Sequence, residues 1–215
     1  VEFLKNHSGR ALFAHGVGSG KTLSAIAGFE ELRKDKKGTR AVVVVPASLI
    51  DNFIHEGVKR FTTSSSSPTI DGKSTYQVIS LDKFRRDPLG TLQEARADSL
   101  IIDELHRAKN SGSVTAQAIQ DVSFEAKNVI GLTGSIVSNH PREVITLLDA
   151  IDPQHAMGSS TGFAKRYTKK DVVKPGSFWS KPQIQTNLTR TKELGTGLTP
   201  YVHYVGNEEI GADYP

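Results

Sequence analysis

The chain has 215 residues, 37% of them apolar and 23% charged, enough for one large α/β domain or two small ones. With no cysteine it has neither a disulfide framework nor a cysteine-based zinc site. No apolar run approaches the ~20 residues that span a bilayer, and Val1-Glu2-Phe3-Leu4-Lys5 lacks the pattern of a signal peptide. The composition points to a soluble intracellular chain, cytoplasmic or nuclear. Its net charge of +4 suits phosphate-rich partners without requiring them.

Short apolar runs alternate with helical patterns along the chain, which predicts a mostly parallel sheet with helices on both faces. The expected strands are Ala11–Ala14, Ala41–Val45, Gln77–Ile79, Ser99–Ile102 and Val129–Leu132. Val42-Val43-Val44-Val45 reads as a strand buried on both faces. Between the strands, Thr22–Lys34 predicts a helix with Leu23, Ile26, Ala27 and Phe29 inward and Glu30, Glu31, Arg33 and Lys34 at its polar end. Ser48–Phe61, Val114–Val122 and Pro141–Ile151 read similarly. Thr62–Thr75, with Ser64-Ser65-Ser66-Ser67-Pro68 and Asp71-Gly72, predicts a flexible surface loop. Beyond about Asp152 the rhythm fades into Gly, Ser, Lys and Pro, and residues 153–215 are expected to form peripheral helices and loops on the same lobe. No internal repeat is visible.

Gly16-Val17-Gly18-Ser19-Gly20-Lys21-Thr22 follows a predicted strand and opens a predicted helix. Glycines let the backbone wrap phosphate oxygens with its N–H groups inward, and the helix N-terminus adds partial positive charge. In such a cradle Lys21 reaches the β- and γ-phosphates of ATP and the Thr22 hydroxyl ligates Mg²⁺. The strict pattern has glycine where this chain has His15. The competing explanation is a glycine-rich turn that caps a helix, with Lys21 solvated; the strand–turn–helix context favours the cradle.

Leu100-Ile101-Ile102-Asp103-Glu104 places two carboxylates at the C-terminal end of an apolar strand, where open α/β sheets bind ligands. Asp103 is placed to hold Mg²⁺ and Glu104 to orient or deprotonate an attacking water. Alone, the pair reads better as two acids that start a helix and favour its dipole; the cradle upstream favours chemistry. His106 is either a link between nucleotide and nucleic acid or an ordinary polar residue.

The string Asp103-Glu104-Leu105-His106-Arg107-Ala108-Lys109-Asn110 resembles motif II of Swi/Snf-type motors in helicase superfamily 2. Other blocks follow in that family's order. Gly18–Thr22 is similar to motif I, Val43–Leu49 with Asn52-Phe53 to motif Ia, Val78–Asp82 to motif Ib, and Leu132-Thr133-Gly134-Ser135 with Asn139 to motif III. Leu147-Leu148-Asp149, Ile151-Asp152-Pro153, Phe163 with Arg166-Tyr167, and Leu188–Lys192 ahead of Leu198-Thr199-Pro200 resemble the segments that close the family's first lobe. The departures are Ile136 for proline, Phe53 for tryptophan and His15 at the start of motif I; none removes a phosphate or metal ligand.

The resemblance, from about Leu12 to Tyr204, implies a RecA-like P-loop NTPase lobe, a three-layer α/β sandwich that uses ATP and Mg²⁺ and spans the whole chain. It implies a double-stranded DNA translocase, with strand-separating helicase, restriction or viral transcription motor, and nucleotide-dependent DNA-binding switch as alternatives. It implies DNA backbone contacts at Pro46, Ala47, Ser48, Ser80 and Ser135, with coupling through His106, Thr133 and Ser135. Arg85, Arg86, Lys109 and Lys165 are candidates for added electrostatic grip, though for any single one solvated surface charge is the better explanation. The family's second lobe, which carries an arginine finger, and the glutamine that reads adenine are expected outside these residues.

Overall fold

The computed structural model describes residues 2–16, 18–108, 110, 112–134, 142–153, 160–173 and 183–205. The strands are β1 Arg10–His15, β2 Ala41–Val45, β3 Ser66–Ser67, β4 Tyr76–Ser80, β5 Ser99–Ile102, β6 Asn128–Thr133, β7 Thr168–Val173, β8 Gln183–Leu188 and β9 Val202–Val205. The α-helices are α1 Glu2–Asn6, α2 Lys21–Lys34, α3 Ile50–Asn52, α4 Lys59–Phe61, α5 Leu81–Phe84, α6 Pro88–Glu94, α7 Val114–Glu125, α8 Arg142–Ile151, α9 Ser160–Tyr167 and α10 Thr191–Leu198. Seven strands form one sheet in the order β3-β4-β2-β5-β6-β1-β9, and every neighbouring pair is parallel. β7 and β8 form a separate antiparallel pair.

Successive residues of a strand point to opposite faces, and that alternation divides the core. Val42 and Val44 join Leu100 and Ile102 in a cluster closed by residues of α6, α7 and α8. Val43 and Val45 join Ile101 and Phe13 in a cluster closed by α1, α2 and residues 53–58. Central strands therefore have no solvated face, and all five residues of β2 are buried. The result is the three-layer α/β sandwich that the alternation of runs predicts.

Four expectations change. In α2 the inward residues are Ala25, Ile26, Gly28, Phe29 and Leu32, whereas Leu23 is 40% exposed. The sheet covers a stripe centred between Phe29 and Leu32, and Leu23 falls outside it. The helix expected over Ser48–Phe61 is a composite: a 3-10 turn at Ala47–Leu49, α3, a π-helical stretch at Phe53–Val58 and α4. Its Gly57 lies so close to α2 that a Cβ there would stand 3.0 Å from Ile26 Cδ1.

The serine-rich segment Thr62–Thr75 is tied down. Ser66–Ser67 pairs with β4. Ser64 Oγ donates to Glu30 Oε1 at 2.7 Å, and Asp71 accepts the backbone N–H groups of Lys73 and Ser74 at 2.8 Å each. In the tail, α9 and α10 pack on α8 in a small cluster of their own, with Phe163, Tyr167 and Leu194 buried. β9 is a strand where only helices and loops are expected: it hydrogen-bonds to β1 at the edge of the main sheet. Apolar residues alternate poorly in so short an edge strand, so sequence pattern did not mark it.

Candidate functional site

The functional positions gather along the C-terminal edge of the sheet because every strand there runs in the same direction. β1 ends at His15 and α2 begins at Lys21. Between them Gly18 and Gly20 have φ near 79° and 78°, left-handed values that a side chain disfavours. Gly20 caps α2 without a side-chain hydrogen bond, and no acidic residue stands in the first turn. The partial positive charge of the helix start is therefore not neutralised locally.

Lys21 Nζ donates to the carbonyls of Gly16 at 2.9 Å and His15 at 3.1 Å. Ser19 Oγ donates to the Gly16 carbonyl at 2.6 Å. The ammonium thus lies across the mouth of the turn on oxygen partners that a phosphate oxygen is able to replace. Thr22 starts the same helix, its methyl side close to the π-helical Gly57. Val17 lies outside the described residues.

The acids sit two strands away. β5 ends at Ile102, and the Asp103 N–H continues the ladder to the Val44 carbonyl at 2.8 Å. Asp103 Oδ1 accepts the Glu104 N–H at 2.8 Å, and Glu104 adopts φ 53°. A non-glycine residue in the left-handed region is locally strained, and such strain concentrates at functional sites. Glu104 does not begin an α-helix, as the dipole explanation would need; a 3-10 turn, Leu105–Ala108, follows it. His106 Nδ1 lies 3.0 Å from Glu104 Oε2.

Burial pushes the Asp103 carboxyl above the usual carboxylate range, reinforced by the neighbouring charge of Glu104 and opposed by its hydrogen bond and by Lys21 and His106. Strand order, with only β6 between β1 and β5, has brought the two motifs to the same stretch of this edge. β6 lies between β1 and β5, with Ala14 opposite Thr133 and Ile102 opposite Gly131. Thr133, fully buried, therefore ends the strand between cradle and acids.

The donor set fits Mg²⁺ carried by a phosphate ligand. Among the described residues no cluster of three or more His, Cys, Asp or Glu side chains exists that would cage a metal by itself. Mg²⁺ characteristically takes one or two protein oxygens and completes its shell with phosphate and water. A half-buried carboxylate at Asp103, one hydroxyl at Thr22 and a nearby anion cradle answer that description.

Of the residues expected at DNA, Pro46, Ala47, Ser48 and Ser80 are brought to this edge. Val45 lies opposite Ser80 in the β2–β4 register, so Pro46, Ala47 and Ser48 stand beside Ser80, with Ala47 and Ser48 exposed. Ser80 Oγ caps α5 by accepting the Lys83 N–H at 3.2 Å. Arg85 is engaged by Asp82 and Arg86 and Lys165 are exposed. Ser135, Ile136, Asn139 and Lys109 lie outside the described residues. Among the described residues no helix is long and apolar enough to cross a membrane.

The SNF2-related domain model matches residues 2–202. The chain belongs to the SNF2-related domain family. This SNF2-related chain is 26% identical over 199 residues to the ATP-dependent helicase YqhH of Bacillus subtilis, covering 89% of itself and 34% of that relative. It is 31% identical over 212 residues to the DNA repair and recombination protein RAD54B of Gallus gallus, covering 89% of itself and 22% of the relative. It thus spans about a third of the first relative and about a fifth of the second. Its fold is that of the SWI2/SNF2 ATPase core of Sulfolobus solfataricus solved with double-stranded DNA, with a TM-score of 0.72 at 20% identity, over 96% of this chain and 42% of that one.

Two features of the SNF2-related site were not legible beforehand. The Gly16 N–H donates to the Val205 carbonyl at 3.1 Å, and His15 Nε2 lies 2.8 Å from His203 Nδ1. Only the aromatic and β-branched content of Val202–Val205 hinted at a strand.

Proposed function

We propose that the chain is the ATP-binding lobe of an ATP-driven translocase on double-stranded DNA. The observation that carries this reading is the convergence of Lys21 and Asp103 at the ends of β1 and β5, beside a helix N-terminus with no acid in its first turn. Mg²⁺·ATP supplies the phosphoanhydride bond whose hydrolysis drives movement. Lys21 and the turn Gly16-Val17-Gly18-Ser19-Gly20 bind its phosphates, with the Gly16 N–H held by the Val205 carbonyl, while Thr22 and Asp103 hold the metal. Glu104 orients the attacking water, and the His106 ring at 3.0 Å positions its carboxylate. Thr133 and Ser135 relay the nucleotide state to Pro46, Ala47, Ser48 and Ser80, which hold the DNA backbone. Such contacts position a strand and read no sequence. A second RecA-like lobe of a longer protein completes the motor; the Sulfolobus core that this fold resembles is more than twice as long.

ATPase activity of the longer protein, with and without duplex DNA, tests this reading beside a Lys21→Ala variant. Duplex-stimulated hydrolysis that Lys21→Ala lowers by about 10²-fold or more, as loss of a charged phosphate partner requires, is the expected result. Stimulation by single strands alone supports strand separation instead. Hydrolysis that Lys21→Ala leaves intact overturns the assignment.

A further inference from the structure

Motif I of this chain begins with a buried histidine, His15, only 4% exposed. β9 lies along β1 with Phe13 opposite His203 and His15 opposite Val205. The ladder does not stop at the end of β1: the Gly16 N–H, inside the cradle, donates to the Val205 carbonyl at 3.1 Å. The Gly16 carbonyl in turn accepts from Lys21 and Ser19. The His15–Gly16 peptide is thus gripped from outside by β9 through its N–H and from inside by Lys21 through its carbonyl, at 3.1 Å each.

The side chains add a second tie across the same two strands, His15 Nε2 to His203 Nδ1 at 2.8 Å. Both rings have aromatic neighbours, His15 buried and His203 exposed: His15 stacks on Phe13 at 5.5 Å, and His203 meets Phe3 and Phe13 edge-on at 5.4 and 6.0 Å. His15 Nδ1 is buried without a hydrogen-bond partner among the described residues. A buried donor left unpaired is rarer than a buried acceptor, which favours the tautomer in which His15 Nε2–H donates to His203 Nδ1.

We propose that the His15–His203 pair is a positioning clasp through which β9, the outermost strand, sets the geometry of the phosphate cradle. β9 is four residues long with both central side chains exposed, so its own packing holds it weakly. When the clasp is closed, the Gly16 peptide is fixed and the Lys21 ammonium stays at the mouth of the turn. When β9 shifts, the same peptide loses its outer partner and the cradle loosens. The clasp makes nucleotide affinity depend on the strand by which the chain leaves the sheet. This inference rests on the reading of Gly16–Thr22 as the nucleotide site.

Titration of a fluorescent Mg²⁺·ADP analogue into the full chain and into His203→Ala, His203→Gln and Lys21→Ala variants tests it, at neutral pH and well below each melting temperature. His203→Ala is expected to bind about five- to tenfold more weakly, the scale of one hydrogen bond, and His203→Gln, which restores an amide partner, to recover most of the loss. A purely structural histidine would lower the melting temperature and leave affinity unchanged, and that result overturns the clasp. Equal affinity of the unsubstituted and Lys21→Ala chains overturns the nucleotide site itself, and the clasp with it. Should His203→Ala fail to fold, imidazole nitrogen NMR of the unsubstituted chain decides. The clasp requires fixed tautomers at His15 and His203 and a His203 signal that moves on adding Mg²⁺·ADP while exposed His55 does not. A stationary His203 signal overturns it.

Discussion

His15 and Asp149 each hold a titratable group in surroundings that favour its neutral form. Burial, with the charges of His203 and Lys21, brings His15 from its ordinary 6.5 down to about 4. Burial alone lifts Asp149 from 3.8 to about 6. The unfolded chain binds more protons than the folded chain at His15 between these limits, so His15 costs stability as pH falls from 6.5 towards 4. At Asp149 the folded chain binds more protons, so the same fall in pH restores stability. The two slopes oppose one another over nearly the same window, each worth about 1–3 kcal/mol. In urea unfolding at a series of pH values, Asp149→Asn should therefore lose stability on acidification more steeply than the unsubstituted chain. His15→Gln should lose it less steeply, or gain. Parallel curves for all three proteins would show that neither group is displaced as described.

At the scale of elements, α2 is joined to β4 and to the serine-rich segment through one carboxylate. Glu30 accepts from Tyr76 Oη at 2.9 Å, Ser64 Oγ at 2.7 Å and Arg33 at 2.8 Å. Tyr76 is fully buried, and burial beside Glu30 raises its phenol well above the ordinary range, so it stays a donor at any physiological pH. Arg33 also donates to Ser64 Oγ at 2.7 Å, which closes a ring of polar contacts at the end of the helix that begins in the cradle. Tyr76→Phe removes one donor and leaves the shape of the core unchanged. It should cost about 1–2 kcal/mol, as for a lost hydrogen bond to a charged group, read as a lower denaturant midpoint with unaltered m-value. The same variant should raise amide exchange in Ser64–Ser67, because Glu30 then holds that segment less firmly. Unchanged exchange there would mean that β3 is anchored by β4 alone.

For the whole molecule, the cradle, the acids and the proposed DNA face lie on one edge of a single sheet. On the proposed two-lobe reading, the far side of a bound triphosphate falls to another part of a longer protein. Contributions of such a partner to NTP hydrolysis are of order 10³–10⁵ in rate where a finger residue is supplied. The 215-residue chain by itself should therefore bind Mg²⁺·ATP and hydrolyse it slowly, with little response to duplex DNA. The longer protein should show stimulated turnover under the same conditions. Steady-state hydrolysis by both, side by side, checks this; rapid duplex-stimulated turnover by the 215 residues alone would sink the two-lobe reading.

The features that sequence alone determined share one property: they are set by neighbours a few residues apart. Val42–Val45 reads as a strand because β-branched side chains suit extended backbone whatever lies beside it. Gly18 and Gly20 adopt left-handed angles because the turn before α2 demands them, and Lys21 and Thr22 follow by adjacency. Asp103 and Glu104 end a strand for the same local reason. Tertiary structure decided what depends on partners far along the chain. The strand order that sets β6 between β1 and β5 brought Lys21 within reach of Asp103. The inward turn of Glu30 depends on Tyr76, 46 residues away. Leu23 is exposed because the sheet covers only one stripe of α2. β9 is a strand because β1 offers it an edge, for its four residues carry too little pattern to declare themselves; the His15–His203 contact spans 188 residues. Periodicity and dihedral preference are written locally, whereas pairing is settled only when the chain closes on itself and each edge, carboxylate and ring finds what lies beside it.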